Sequence, residues 1–476
     1  MTLTLYEMKK ILIITPYVPY PLNSGGNQAM FSMVDYLRKT YDITMIVPVY
    51  EWDRKNYEKL TRIWDDVKFN PYFRIRDKEY KDTSVLCGTS IYFKIISKLM
   101  ASAARKRMRW LNKNMSEIIS DESRFKYHSG LFSEMGMQTE GFMRHVREVA
   151  ASGGFDLIQV EFYNFTPFKF LLPKDVMTLY VQHEIQFVRL ANEMSLFHKV
   201  TMTDRYLYEM KKLEDIAILN QYDHIITLTD TDKKILSEYI PAEKIDVSPA
   251  IIRDKRNASE FTECAKEFVF VGGCDHFPNF DGISWFCSNI IPVLKARGEK
   301  FRLYVVGSWK KGFVKKYMKL HPELEFTGYI EDLASFINGK ISIVPIRIGS
   351  GMRIKIIEAI YAKSPFIATS KGAEGLDFRN GEDCIIADRP EAFADGMMRL
   401  AEDVSMQRRL AENAFARIST FSKPEQLKER RAELYRKYSM STRKQTSVRK
   451  KAESPADIRD SPSSRTGSGC IGVVRA

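Results

Sequence analysis

Arg353, Lys355 and Glu358 are residues whose types and spacing could do chemistry together, because they follow a turn of small residues, Gly349, Ser350 and Gly351. The first turn of a helix carries about half a positive charge, so Arg and Lys are mildly unfavourable there, by roughly 0.3–1 kcal/mol each. An anion on the free backbone N–H groups of Ser350, Gly351 and Met352 reverses that sign. Glu358 follows about one turn later, within reach of neutral hydroxyls beside the anion. A phosphate followed by a polyol is the pattern of a nucleoside diphosphate and its ribose. A surface βα unit with merely solvated basic residues would read the same way in isolation, so the rest of the chain has to decide.

The element that must position these groups is the stretch ISIVPIRIGSGMRIKIIEAIYAKSPFIATSKGAEGL, residues 341–376. Residues 341–346 are mostly apolar and partly β-branched, which suits a buried parallel strand. Ile354, Ile357, Ile360 and Tyr361 then recur at helical spacing, giving strand, glycine turn, helix. The same alternation runs through the chain. Strands are expected at 10–15, 43–49, 155–160, 176–181 and 224–228, with a further one near 67–73. After a polar linker at 248–265 a second series follows, at 267–271, 301–306, 324–326 and 365–369. The fold class is therefore α/β, with two Rossmann-like halves.

In open α/β sheets ligands gather at the carboxyl ends of strands. Gly25 and Gly26 open a helix after the first strand, and the spacing lacks a G-x-G-x-x-G fingerprint, so only a weaker anion-binding turn is expected. Glu161 ends one strand, and Gln182, His183 and Glu184 end another. His183 points where chemistry would occur, although a strand-end His serves equally well as a structural hydrogen-bonder. Asp230, Thr231 and Asp232 spell D-x-D, a divalent-metal pattern in some sugar transferases, but they sit where a strand meets a helix and N-capping explains them.

A chain of 476 residues with 44% hydrophobic content exceeds one ordinary core, so two domains are expected. The division predicted is 1–250, an acceptor-binding domain, and 262–423, a donor domain, with a helix at 424–440 returning to the first domain and a disordered basic tail at 441–476. Six cysteines without C-x-x-C spacing argue against zinc and a disulfide framework and for a cytoplasmic protein. The start of the sequence reads as neither signal peptide nor membrane span. The net charge of +13 concentrates in the tail and in residues 98–113, where Met108, Trp110 and Leu111 interleave with Arg and Lys. Such a stretch can lie on an anionic membrane, giving peripheral placement on its inner face, or can be an ordinary solvated helix. No nucleic-acid-binding module is recognisable.

From FVGGCDHFPNFDGISWF (270–286), LYVVGS (303–308), FTGYIEDL (326–333), the stretch at 345–376 and NGEDCIIAD (380–388), the chain resembles the retaining glycosyltransferases of the GT-B fold, family 4 (glycosyl transferases group 1), up to about residue 440. The resemblance implies two Rossmann-like domains facing across a cleft. It implies transfer of a sugar, of hexosyl type, from a nucleotide-diphosphate donor to a hydroxyl of a saccharide, lipid-linked or protein acceptor, as in the synthesis of cell-surface polysaccharide, glycolipid or glycoconjugate. No cofactor or metal is implied. Glu358 matches the second glutamate of a paired motif that holds the ribose, while the first falls on Ser350. The family's usual Arg and Lys fall on Gly273 and Asp281, so Arg353 and Lys355 become the substitute diphosphate cations. His183 matches a cleft-facing His, Gly25 and Gly26 a diphosphate-approaching turn, Glu374 a loop near the donor sugar, and Tyr329 and Ile330 the nucleobase wall. A non-catalytic binding or scaffold protein on the same fold is the alternative, motivated by Ser350.

Overall fold

Runs such as KILII and EFVFV are apolar at nearly every position, and continuous apolar runs suit strands covered on both faces. The structure is a computed structural model that describes residues 8–22, 24–74, 138–197, 199–252, 260–421 and 424–449. In it β1 (Lys10–Ile14), β2 (Asp42–Tyr50), β3 (Lys68–Arg74), β4 (Leu157–Glu161), β5 (Met177–Gln182), β6 (His224–Thr227) and β7 (Ile245–Val247) form a parallel sheet in the order β3-β2-β1-β4-β5-β6-β7. A second parallel sheet takes the order β10-β9-β8-β11-β12-β13, from β8 (Glu267–Val271), β9 (Arg302–Val306), β10 (Leu324–Gly328), β11 (Ile341–Val344), β12 (Phe366–Ala368) and β13 (Ile385–Ile386). These are the two Rossmann-like domains.

Strand order reverses between β1 and β4 in the first sheet and between β8 and β11 in the second. At such switch points the loops leave in opposite directions and open a crevice at the carboxyl ends of the strands. The loops after β1 and β11 carry the two glycine turns, so each turn sits at its own sheet's crevice. The short strands β7 and β13 are additions to the expected set. Their brevity hides them, since two or three residues give no period to read.

Several expected boundaries move. The sequence predicts one long helical stretch over 184–219, and the structure has two helices there, Gln186–Ser195 and Met202–Leu219, the second started by a capping box in which Thr201 and Asp204 exchange hydrogen bonds. The last helix, Pro424–Arg449, runs past 440 into the stretch read as disordered tail. Residues 441–449 hold no Gly or Pro to stop it, and Lys, Arg and Gln are good helix formers. The remainder of the tail and the basic stretch at 98–113 lie outside the described residues. Cys264, Cys274, Cys287 and Cys384 are free thiols.

That last helix packs on the first domain. Tyr435 and Tyr438 are fully buried among Met33, Val34, Tyr41 and Met45 of the first-sheet core, and Arg431 donates from Nε to Ser248 Oγ (2.7 Å) and from Nη2 to Ser248 O (2.9 Å). Ile357, from the helix Ile354–Tyr361 of the second domain, joins the same cluster.

Candidate functional site

The loop after β11 folds as a turn because Gly349 and Gly351 adopt φ of +108° and +79°, a left-handed region that side chains resist. A Cβ on Gly351 would also run into the carbonyl oxygen of His183. The turn is pressed against the first domain. Ile185 N donates to Ser350 Oγ (2.7 Å), and Gly349 N donates to Asn192 Oδ1 (3.1 Å). The Ser350 hydroxyl also favours the charged form of the nearby Asp232 carboxyl, whose pKa burial pushes up. The backbone N–H groups of Ser350, Gly351 and Met352 have no partner among the described residues.

Arg353 and Lys355 part company. Arg353 is the N-cap of the helix Ile354–Tyr361 and not a residue of its first turn, which corrects the expectation. Its guanidinium folds back on the turn, donating from Nη1 to Ser350 O (2.6 Å) and from Nη2 to Ile348 O (3.4 Å). The tight turn leaves those carbonyls without backbone partners, and a buried guanidinium is the nearest donor. Burial pushes its pKa down, against the pull of Glu184, Glu374 and Asp232.

Lys355 reaches the crevice between β8 and β11. Its Nζ donates to Asn279 Oδ1 (2.6 Å) and lies 4.6 Å from the centre of the Phe270 ring. Burial, reinforced by the charge of Arg353, pushes its pKa down to about 7. Asn279 in turn donates to Gly273 O (2.9 Å), holding the loop after β8. Asp281, where the resemblance would put a cation, lies in the helix Phe277–Trp285, is buried and takes a bidentate pair from Arg347 at 2.6 and 3.1 Å. Arg347 is thereby paired with a carboxylate, whereas the bond Lys355 makes in this crevice is to the neutral Asn279.

Glu358 lies one turn along the helix and accepts from Gln28 Nε2 at 2.7 Å, across the domain boundary. Gln28 belongs to the helix Gly25–Leu37, whose start is capped by Ser24. Gly25 lies against Ile354, where a Cβ would approach to 3.0 Å. The two glycine turns, Lys355 and Glu358 are thus brought to one interdomain surface.

The other expected residues sit around it. Tyr329 and Ile330 follow β10; the Tyr329 side chain is exposed, and Ile330 packs against the small cluster of Val269, Val306 and Ile337. Glu374 pairs with Lys371 (2.7 Å). His183 Nε2 lies 2.6 Å from Glu161 Oε2, and Phe162 stacks on the imidazole at 3.9 Å between centroids. Glu161 bonds Gln159, whose amide meets Tyr435 of the final helix, so the His183 ring is turned into its own domain and held there. Thr229 caps the helix Asp230–Leu236, accepting from Asp232 N (3.0 Å) and donating to Asp232 Oδ2 (2.8 Å), the capping role expected of that D-x-D.

Gln28, Asn279 and Glu184 were not singled out as site residues. Glu184 follows directly on His183 at the end of β5, the one positional signal available. Its Oε2 meets Arg189 Nη1 (3.2 Å) and lies 3.9 Å from His276 Nε2. Burial pushes its pKa up, but His276, Arg189 and Arg353 outweigh it and hold it down at about 2.

Two parallel Rossmann-like domains that close their switch-point loops on each other define the GT-B class of glycosyltransferase fold. Residues 265–403 match the family model described as glycosyl transferases group 1. The chain is 22% identical over 425 residues to an uncharacterized 44.6 kDa protein in the cps region of Klebsiella pneumoniae, covering 86% of this chain and 96% of the relative. Among solved structures it is similar to a mutant of S. aureus TarM in complex with Fondaparinux, alpha-GlcNAc-glycerol and UDP (12% identity, TM-score 0.60, 90% of this chain and 100% of that one). It is also similar to sucrose-phosphate synthase from Thermosynechococcus elongatus (15%, 0.60, 91% and 100%) and to Anabaena HepE in complex with UDP and glucose (12%, 0.56, 90% and 99%).

Proposed function

We propose that this protein is a retaining glycosyltransferase that moves a hexosyl group from a nucleotide-diphosphate donor to an acceptor hydroxyl, without a metal. The observation that carries this reading is the convergence of Lys355, Glu358 and both glycine turns on one interdomain surface at the two switch points. Lys355 and the free N–H groups at the turn and at the start of the helix Gly25–Leu37 would hold the diphosphate; Glu358 would accept from the ribose hydroxyls; Tyr329 and Ile330 would flank the base. The UDP complexes of the similar structures and the cps-region relative support the donor class and a part in cell-surface polysaccharide synthesis.

In the step itself the acceptor oxygen bonds to the anomeric carbon on the face from which the diphosphate leaves. The bond from that carbon to the phosphate oxygen breaks, and the acceptor's proton passes to the departing phosphate. Lys355 and the helix start stabilise the negative charge as it develops. No side chain is required as nucleophile.

Nucleotide-sugar turnover followed by NMR tests the reading. An α-linked donor should give an α-linked product at an undiminished rate in EDTA. An inverted product would exclude retention, and activity lost in EDTA and restored by manganese would make the reaction metal-dependent. For residues 98–113 the corresponding proposal is peripheral binding to anionic vesicles that weakens with salt; absence of co-sedimentation at low salt would remove it.

A further inference from the structure

The helix Met202–Leu219 of the first domain turns its side chains the wrong way for a surface helix. It buries Asp204 and Leu219, and its Asp215, paired with Lys211 at 2.9 Å, lines a cavity in its own domain with Tyr180 and Gln186. Met202, Tyr206, Leu207, Met210 and Leu213 are exposed instead, Met202 by 82% and Leu213 by 61%. At about 3.6 residues per turn, Met202, Tyr206, Met210 and Leu213 fall within an arc of about 80°. Their steps of four, four and three residues are those of a seam that packs on another helix. An exposed apolar residue by itself is ordinary, but a continuous row marks an interaction surface.

The charges on the helix say what covers that row. Asp204, Glu209, Glu214 and Asp215 outnumber Arg205, Lys211 and Lys212, so the helix lacks the basic excess that would hold it on an anionic lipid surface. It does complement itself. Arg205 and Glu209 are exposed on one flank of the seam, with no ion-pair partner among the described residues. Laid antiparallel on a second copy, with the twofold axis beside Leu207, Met202 faces Leu213 of that copy and Tyr206 faces its Met210. In the same register Arg205 faces Glu209 of the second copy. A twofold axis makes every one of these contacts twice, which is the property of an isologous interface.

We propose that two copies of this chain pair through the helix Met202–Leu219, antiparallel, with the exposed apolar row as the buried seam and Arg205–Glu209 ion pairs on its flank. One helix pair is a small interface, so monomer and dimer exchange with concentration. Every residue named lies on one helix of the first domain and none on the interdomain surface, so the pairing stands apart from the transferase reading.

The test is sedimentation velocity of the full chain over a concentration series. Wild type should pass from monomer to dimer, and Met210→Glu should remain monomeric with its melting temperature unchanged, because the side chain it replaces is exposed. Arg205→Glu and Glu209→Arg should each weaken pairing roughly tenfold, since each sets like charges opposite one another twice. Mixed in equal amounts, these two variants should pair again, because each then presents the charges that the other lacks. A contact within one helix cannot produce that rescue. Wild type that stays monomeric throughout overturns the pairing, as does a dimer that survives Met210→Glu or a mixture that fails to associate. It is overturned too if wild type sediments with anionic lipid vesicles and Met210→Glu does not, since the row would then belong to a membrane.

Discussion

At the scale of single residues, Lys355 carries the clearest pH dependence. Its pKa is pushed down to about 7 in the folded chain, while in the unfolded chain it stays at the ordinary lysine value. Between those values the unfolded chain holds the extra proton, so the cost of burying this ammonium is fully present below pH 7 and is relieved as the pH rises. Binding of a diphosphate runs the other way, because it needs the ammonium. Affinity for the nucleoside diphosphate should fall as the pH rises from about 7 to 9, with proton uptake on binding. Titration at several pH values in two buffers of different ionisation enthalpy would show it, and Lys355→Arg should flatten the profile. A wild-type affinity flat across that range would remove Lys355 from the phosphate site. Glu358→Gln should weaken nucleotide binding by about tenfold with the melting temperature held, since an amide serves only part of what a carboxylate accepts from a diol. Equal affinity of variant and wild type would place Glu358 in the domain contact with Gln28 and nowhere else.

At the scale of elements, the glycine turn after β11 works as a docking surface as well as an anion cradle. Gly351→Ala meets two obstacles, the left-handed φ and the His183 carbonyl. The strain belongs to the turn, of order 1–3 kcal/mol, and the clash belongs to closure. Turnover should therefore drop at least a hundredfold, and small-angle scattering should show a larger radius of gyration in the presence of nucleotide than wild type shows. A variant as compact and as active as wild type would mean that the turn need not seat on His183. Such elements were legible because their signals are local: ISIVP, GSG and the spacing of Ile354, Ile357 and Ile360 lie within one stretch. Their partners were not. Gln28 is separated from Glu358 by 330 residues and Asn279 from Lys355 by 76, and no pattern along the chain says that they meet. Arg353 was misplaced for a different reason. Its position is set by the dihedrals of a turn whose carbonyls need donors, and residue type alone does not reveal where a helix's first hydrogen-bonded residue falls.

At the scale of the molecule, the two domains share more than a cleft. The helix Pro424–Arg449 completes the core of the first sheet, with Tyr435 and Tyr438 fully buried there. Tyr435→Ala should destabilise the first domain by about 3–5 kcal/mol, the usual cost of removing a buried aromatic ring, and Tyr435→Phe by much less. Denaturation followed by tryptophan fluorescence would report it, since Trp52 and Trp64 belong to that domain. Equal, small losses in both variants would mean that the helix merely lies on the surface. The same placement has a consequence for how the protein is made. A ribosome delivers the first sheet early, yet the side chains that close its core emerge only after the second sheet and its helices. Until then Met33, Tyr41 and Gln159 lack the rings of Tyr435 and Tyr438, and the second domain, whose main core among the described residues comes from 264–418, can finish first. Translation order and folding order are therefore opposed: the half of the chain synthesised first is the half that must wait.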